Sequence, residues 1–404
     1  MLTSICCFSE STIRRNSEVN TNMIQTRFTA AVLCTAAFIS GCSAIPTQQT
    51  ASPSTFAAAS ESSGPEEHTS AESDAFSTEP SEVSENVPNT DPSESLSSEL
   101  YAMDTVMTLT AYGPNAQNAL AEAENEITRL DTLFSISSEN GDIYRVNQYE
   151  EGDLSEDSLT LLSSALNYYT ETGGIFDCTI EPVMEAWGFT TQDYRVPEQA
   201  ELDDLLSRVD ASCISLTGNH VTLPENVRLD LGGIAKGFTS ARVMKVFAEN
   251  GVTSGIISLG GNVQTLGKKP DGSLWRVGVQ DPVNQDDMFA VVEVADEAVI
   301  TSGAYQRYFE QDGIHYHHII DPRTGYPANN GLISVTIISP DGTLADALST
   351  SLFIMGPEKA AAFWQNHRDQ FDAILMTDNG DVLVTSGLAD RCQITGGGKV
   401  QVIS

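Results

Sequence analysis

The sequence predicts an α+β fold: mostly antiparallel, mixed sheets with helices on their outer faces, in one large domain behind a disordered tether. Three observations carry this. Periodic apolar patterning begins at Leu100 and runs to Ser404, about 300 residues, enough for one sizeable core. Within that stretch, short alternating segments joined by turn residues outnumber strand–helix–strand units, which favours hairpins over a parallel sheet. Upstream of Leu100 the composition changes abruptly.

Residues 1–22 are polar and unpatterned, so Met23 reads as the working start in place of Met1. Arg27 then supplies a short basic region, and Phe28 to Ile39 an apolar run that is too short for a membrane span. It ends in Ile39-Ser40-Gly41-Cys42, which looks like a lipobox and makes residues 1–42 an extension plus lipoprotein signal, with Cys42 the acylated residue. Residues 43–99 hold eleven acidic residues, six Pro and no Lys or Arg. Such a segment buries too little apolar surface to offset its ordering entropy, so it reads as a solvated, disordered linker. The domain proper is then 100–404.

Met103 to Tyr112 alternates like a half-buried strand, and Asn115 is placed to cap a helix whose apolar residues are Leu120, Ala123, Ile127, Leu130 and Phe134. A second helix is expected from Asp157 to Glu171, stopped by Gly173-Gly174, and a third after Pro197. Cys213 to Leu223 reads as a hairpin turned at Gly218-Asn219. A strand ending at Asp230, a helix from Gly233 to Asn250 and a strand from Gly255 to Leu259 follow. Further strands are expected at 275–280, 289–295, 298–302, 305–310, 314–320 and 332–338, then helices from Leu344 to Met355 and near Ala360, and strands at 371–376 and 381–386.

Charge and cysteines exclude several classes. The chain carries a net −36, of which residues 1–42 contribute +1 and 43–99 contribute −11, leaving −26 on the folded part. That argues against nucleic acid as a partner. Only Cys178, Cys213 and Cys392 lie in the domain, an odd number without paired spacing, so neither a disulfide framework nor a zinc site is expected.

Candidate chemistry sits in a few short segments. Asp346 and Thr350 lie four apart on a predicted helix and project hard oxygen donors from one face, suited to Mg²⁺ that shares coordination with a phosphate. Read alone, Asp346 near a helix start is more often a cap or dipole partner. Asp230-Leu-Gly-Gly-Ile-Ala-Lys236 puts a Gly pair and a lysine at a helix start, where phosphate oxygens are favoured. Gly237 stands where a Walker A loop needs Ser or Thr, and the spacing is not that of a Rossmann fingerprint. Gly260-Gly261-Asn262, also just after a strand, is the same kind of signal and equally weak alone. In His315-Tyr-His-His318, alternation puts His318 on the opposite strand face from His315 and His317, where it serves as a general base, a phosphate contact or a strand brace. Gly174-Ile-Phe-Asp-Cys-Thr-Ile-Glu-Pro182 offers apolar atoms beside a carboxylate.

Taken in order, Met103-Asp-Thr, Gly174 to Pro182, Asp230 to Lys236, His318-Ile-Ile-Asp-Pro-Arg-Thr-Gly325 and Ala345-Asp-Ala-Leu-Ser-Thr350 resemble the signature of the ApbE family, the FAD:protein FMN transferases, along residues 100–390. The resemblance implies an ApbE-like, T-fold-like domain with FAD as substrate and Mg²⁺ as cofactor. By position it implies Met103, Ile175, Phe176, Asp177, Asp230, Lys236 and Ile320 as FAD contacts. It also implies the Gly233 carbonyl, Asp346 and Thr350 as metal ligands, with His318 taking the acceptor's proton. Asp104 stands where the family has Gly, and Ser137 where many relatives carry Tyr. The implied reaction transfers FMN to a Ser or Thr hydroxyl and releases AMP. The acceptor would be an extracytoplasmic protein with a Ser/Thr-Gly-Ala-Thr-like motif, such as an FMN-binding domain or a membrane redox subunit. Here Thr301-Ser-Gly-Ala304 is followed by Tyr305, so the chain should modify a partner, not itself. The expected location is the extracytoplasmic face of the cell membrane, held by lipid. FAD hydrolysis to FMN and AMP, and flavin binding without chemistry, are the alternatives.

Overall fold

The computed structural model describes residues 93–404. The Met23 start, the Cys42 lipobox and the linker up to residue 92 lie outside the described residues. The first strand, β1 (Ser95–Ala102), begins five residues before Leu100, so the ordered domain takes up the end of the expected linker. β1 pairs antiparallel with β2 (Thr105–Tyr112) through a two-residue turn at Met103-Asp104. Both turn residues have positive φ, 49° and 58°. Two-residue hairpin turns of this hand suit the right-handed twist of strands, and a short polar Asp tolerates such a φ where Gly is commoner.

The main sheet has nine strands in the order β1, β2, β6 (Gly255–Leu259), β7 (Asn262–Leu266), β10 (Ala298–Gly303), β13 (Leu332–Ser339), β14 (Asp372–Thr377), β15 (Val382–Thr385) and β17 (Val400–Ile403). Every neighbour pair is antiparallel except β15 with β17. Alternation along the central strands builds two cores. Ile300, Val335 and Ile337 face the helices, while Val299 and Ile338 face a second sheet made of β8 (Trp275–Gln280), β9 (Met288–Val294) and β16 (Cys392–Ile394). Strands with both faces covered read as near-continuous apolar runs, which is what Leu-Ile-Ser-Val-Thr-Ile-Ile shows at β13.

The helical face is formed by α1 (Ala116–Phe134), α3 (Glu156–Glu171), α6 (Gly232–Glu249), α7 (Gly342–Met355) and α8 (Pro357–Asn366). All five residues expected to form the apolar stripe of α1 are buried. The expected cap at Asn115 is not made: its side-chain amide instead donates to the Asn250 carbonyl at 2.9 Å. α7 lies on β10 and β13 and is covered by α3, α6 and α8, so all its residues except Thr350 and Met355 are buried.

Smaller pieces complete the domain. β3 (Glu151–Asp153), β4 (Ser215–Thr217) and β5 (His220–Thr222) form a three-stranded sheet, with the β4–β5 turn at Gly218-Asn219 as expected. α2 (Asp142–Tyr149), α4 (Glu181–Trp187) and α5 (Gln199–Leu206) are short; α2 and α4 have no counterpart in the sequence-based elements. A separate hairpin, β11 (Tyr308–Gln311) and β12 (Ile314–His317), lays Phe309 and Tyr316 against Trp187. The segment before Asp230 is extended but unpaired as a strand, held by the Asn147 side chain, which bonds the Leu229 carbonyl and amide at 2.8 and 2.7 Å, and by the Asp230 amide on the Cys178 carbonyl at 2.8 Å. Cys178, Cys213 and Cys392 are all free thiols.

Candidate active site

Where the helical layer meets the turn of the first hairpin and the start of β11, a cavity of about 390 Å³ opens. Met103, Ile175, Phe176, Asp177, Asp230, Gly233, Lys236, His318, Ile320, Asp346 and Thr350 all line it. Residues separated by up to two hundred and more positions in sequence thus share one space. Its lining divides between apolar side chains, Ile175, Phe176, Ile180, Met184 and Ile320 among them, and polar ones, among them Lys236, Asn262, Arg307, Asp346 and Thr350.

The polar wall is built at the crossing of α6 and α7. Asp341 caps α7 by accepting from the Thr343 and Leu344 amides at 2.8 and 3.1 Å, so Asp346, a full turn on, is free of that duty. The Asp346 carboxylate accepts from the Gly237 amide at 2.8 Å and the Asn262 side-chain amide at 2.9 Å, with Lys236 Nζ 4.0 Å away. In a regular helix the Gly237 amide would bond the Gly233 carbonyl. Gly233 lines the cavity, and a carbonyl oxygen with two lone pairs has acceptor capacity there whether or not it also takes that amide. Gly237 has to be glycine for a second reason: a Cβ there would stand 2.6 Å from Asp346 Cβ and overlap the Gly342 carbonyl. The position that separates this loop from a Walker A motif is therefore a helix-crossing contact.

Asn262 reaches Asp346 because Gly260 and Gly261 turn β6 into β7 with φ of 61° and 94°. Ser302, near the end of β10, is buried and bonds Ser349 Oγ at 2.8 Å and Thr350 Oγ1 at 3.2 Å. Among the described residues no three His, Cys, Asp or Glu side chains cluster as metal ligands. A cation here would have one carboxylate, the Thr350 hydroxyl and the Gly233 carbonyl, all hard oxygens, and would complete its shell with water and ligand oxygens. That donor set fits Mg²⁺ and suits neither zinc nor an all-protein calcium cage.

His318 lies one residue past the end of β12, not within a strand through 320. Its amide and its Nδ1 both meet the Arg307 carbonyl, at 3.0 and 3.1 Å. A carbonyl only accepts, so Nδ1 carries the proton and Nε2 keeps its lone pair. Burial, reinforced by the positive charge of Arg307, pushes the imidazole down to about 3. It is neutral at any physiological pH. His315 stacks on Tyr308 and is exposed, while His317 is buried and bonded to the Ala328 carbonyl at 3.0 Å. The three histidines point to three different places.

The carboxyls of the site differ in their work. Burial pushes Asp230 up, against the Gly232 amide at 2.7 Å and the charges of Arg307 and Lys236. Asp177 is also pushed up by burial, but both its oxygens are taken: Oδ1 by the Thr179 amide and hydroxyl at 2.9 and 2.6 Å, Oδ2 by the Ala211 amide at 3.2 Å. Its side chain braces the loop that carries Ile175 and Phe176. Asp321, in the Asp-Pro-Arg-Thr-Gly stretch, likewise grips Arg323 with both oxygens at 2.8 and 2.6 Å and turns the chain so that Trp187 Nε1 bonds the Gly325 carbonyl at 2.7 Å. Ser137 is exposed, bonds Ser135 and is absent from the cavity wall; the aromatic ring on that wall is Phe176. Sequence reasoning missed Arg307 and Ser302. Arg307 had no motif around it, and Ser302 lay in a segment read only as a failed acceptor motif.

A family model described as the ApbE family matches residues 103–375, which includes every residue of the cavity. The chain belongs to the ApbE family. It is 36% identical to the FAD:protein FMN transferase of Treponema pallidum over 251 residues, 58% of this chain and 69% of that protein. It is 31% identical to the FAD:protein FMN transferase of Vibrio cholerae over 279 residues, 65% and 83% of the two chains. Among solved structures, the ApbE protein of Thermotoga maritima superposes with a TM-score of 0.68 at 30% identity, covering 72% of this chain and 96% of that one. The flavin transferase ApbE of Vibrio cholerae does so with a TM-score of 0.68 at 26% identity, covering 74% and 100%. The α+β ApbE-like fold expected from the sequence is therefore the fold of this chain.

Proposed function

We propose that this chain is an FAD:protein FMN transferase, which moves FMN from FAD to a Ser or Thr hydroxyl of an acceptor protein and releases AMP. The observation that carries the reading is the division of one cavity's lining between apolar side chains, Phe176 among them, and the cations Lys236 and Arg307, together with Asp346, Thr350 and a neutral His318. A dinucleotide with a flat ring system and a pyrophosphate matches that division, and the names of the relatives agree with it.

In this reading Met103, Ile175, Phe176 and Ile320 hold the flavin end. Lys236 and Arg307 face the pyrophosphate, and Asp230 holds polar groups of FAD. The acceptor oxygen attacks the FMN phosphorus, the bond from that phosphorus to the AMP oxygen breaks, and the hydroxyl proton passes to Nε2 of His318. Bound phosphates offset Arg307 and Lys236, two of the charges that depress the imidazole, so its basicity rises when substrate is in place. Mg²⁺ at Asp346, Thr350 and the Gly233 carbonyl would supply charge neutralisation for the leaving AMP.

The acceptor carries a Ser/Thr-Gly-Ala-Thr-like segment, and the enzyme is lipid-anchored through Cys42 on the extracytoplasmic face; the apolar run ending in Ile39-Ser-Gly-Cys42 and the acidic stretch behind it support this. A Cys42→Ser variant that stays in the membrane fraction would refute the anchor. For the chemistry, the purified chain is mixed with FAD, Mg²⁺ and a peptide bearing the acceptor motif, and the products are weighed. Peptide heavier by FMN, with equimolar AMP, supports the transferase. Free FMN and AMP with unmodified peptide would make it a hydrolase, and unconsumed FAD a binding protein.

A further inference from the structure

We propose that Ser302 and Ser349 form a one-way hydroxyl relay that makes Thr350 turn its proton away from the cavity, so that its oxygen offers only lone pairs to the cation. This rests on the reading of Asp346 and Thr350 as ligands of a hard divalent metal. The direction follows from counting hydrogens. Ser349 Oγ lies 2.9 Å from the Asp346 main-chain carbonyl, which can only accept, so the single Ser349 hydroxyl hydrogen goes there. Ser349 can then only accept from Ser302, 2.8 Å away, and this uses the Ser302 hydrogen. Ser302 is left as an acceptor, and Thr350 Oγ1 at 3.2 Å donates to it. No choice of direction remains along the chain.

The setting keeps the relay fixed. Ser349 is wholly buried, so water has no access to its bond with the Asp346 carbonyl, while Ser302 and Thr350 reach the cavity wall. Thr350 is one of the two residues of α7 with surface to spare, and it spends that surface on the cavity. A hydroxyl free to rotate would present its hydrogen to the cation in part of its rotamers, which costs affinity. Ser302 and Ser349 are thus positioning residues that act through Thr350, and Asp346 contributes twice: its carboxylate as ligand and its main-chain carbonyl as the relay's terminus.

The test uses Mn²⁺ titrated into the purified chain with FAD, free Mn²⁺ being read by electron paramagnetic resonance, beside thermal melting. Ser302→Ala and Ser349→Ala should each weaken Mn²⁺ binding by roughly 10–100-fold, the usual effect of losing a residue that orients a ligand. The double variant should be no weaker than the worse single, because both cut the same chain. Losses that multiply, or a Ser302→Ala protein that melts lower yet binds Mn²⁺ like wild type while Asp346→Ala does not, would overturn the relay and leave the metal site standing. Mn²⁺ affinity unchanged in Asp346→Ala would overturn both.

Discussion

The Gly237 amide donates to Asp346 Oδ2 at 2.8 Å across a sequence separation of 109 residues. One hydrogen bond thus ties the phosphate-favouring start of α6 to the carboxylate of α7, and the geometry of each depends on how closely the two helices cross.

Gly237→Ala tests that dependence. Its methyl would overlap the Gly342 carbonyl and press on Asp346 Cβ, so α6 and α7 must separate. Overpacking of this kind costs about 1–3 kcal/mol. The variant should melt several degrees lower and lose Mg²⁺-dependent turnover more than it loses stability; wild-type turnover in a folded Gly237→Ala protein would show the crossing is not critical.

Asp346→Ala should abolish AMP release while FAD still binds, since Lys236, Phe176 and Ile320 remain. Fluorescence titration with FAD, run beside an AMP assay, separates the two effects. Normal turnover with Mg²⁺ would mean the carboxylate is misassigned.

For His318→Ala, acceptor labelling should fall by about 10²–10⁴-fold, the usual loss when a general base is removed. FAD affinity should change little. A histidine that only braces the end of β12 would instead lower melting temperature, binding and turnover together, and mass spectrometry of the acceptor reads the difference.

Acid should destabilise the domain through buried His317 and half-buried His318. Burial holds His317 at about 4 and His318 at about 3, both below the ordinary 6.5. Between 6.5 and those values the unfolded chain takes up protons that the folded one refuses, so stability is complete above about 6.5 and falls as pH drops through the window. Asp177 and Asp230, whose values are raised, pull the other way. His317→Gln places an amide donor where Nε2 meets the Ala328 carbonyl and should show a shallower fall of melting temperature from pH 6.5 to 4. Parallel curves would exonerate His317.

Truncation locates the start of the fold. A chain beginning at residue 93 keeps all of β1 and should melt like the full protein. One beginning at Met103 strips eight paired residues from β2 and should lose several degrees and weaken the Met103 wall of the cavity.

What could be read from the sequence followed its periodicity. α1 shows a clean stripe because only one face is buried, and its five apolar positions were legible. β7 was not, because Asn262, Gln264 and Thr265 are buried polar residues that serve the site and its neighbours, which hides a strand among them. α2 and α4, at eight and seven residues, are too short to set a period. The site itself was legible where motifs concentrate, at Asp230–Lys236 and Asp346–Thr350. Arg307 and Ser302 enter through the tertiary fold alone: one sits where a carbonyl anchors His318, the other where a strand end meets a buried helix. The Asp321 turn, which carried much of the resemblance, both packs on Trp187 through the Gly325 carbonyl and puts Pro322 on the cavity wall.

The near-complete burial of α7 sets the terms on which this enzyme can be altered. Random variation along that helix would mostly return proteins that fail to fold, since twelve of its fourteen residues have no solvent to retreat to. Retuning the proposed metal site for another cation would therefore have to be done from neighbouring elements. From outside the helix, Asn262 at the start of β7 touches Asp346 Oδ1 and Ser302 near the end of β10 touches Thr350 Oγ1, and Thr350 is the helix's own adjustable position facing the cavity. A small library at those three positions would explore metal preference without spending its members on unfolded chains.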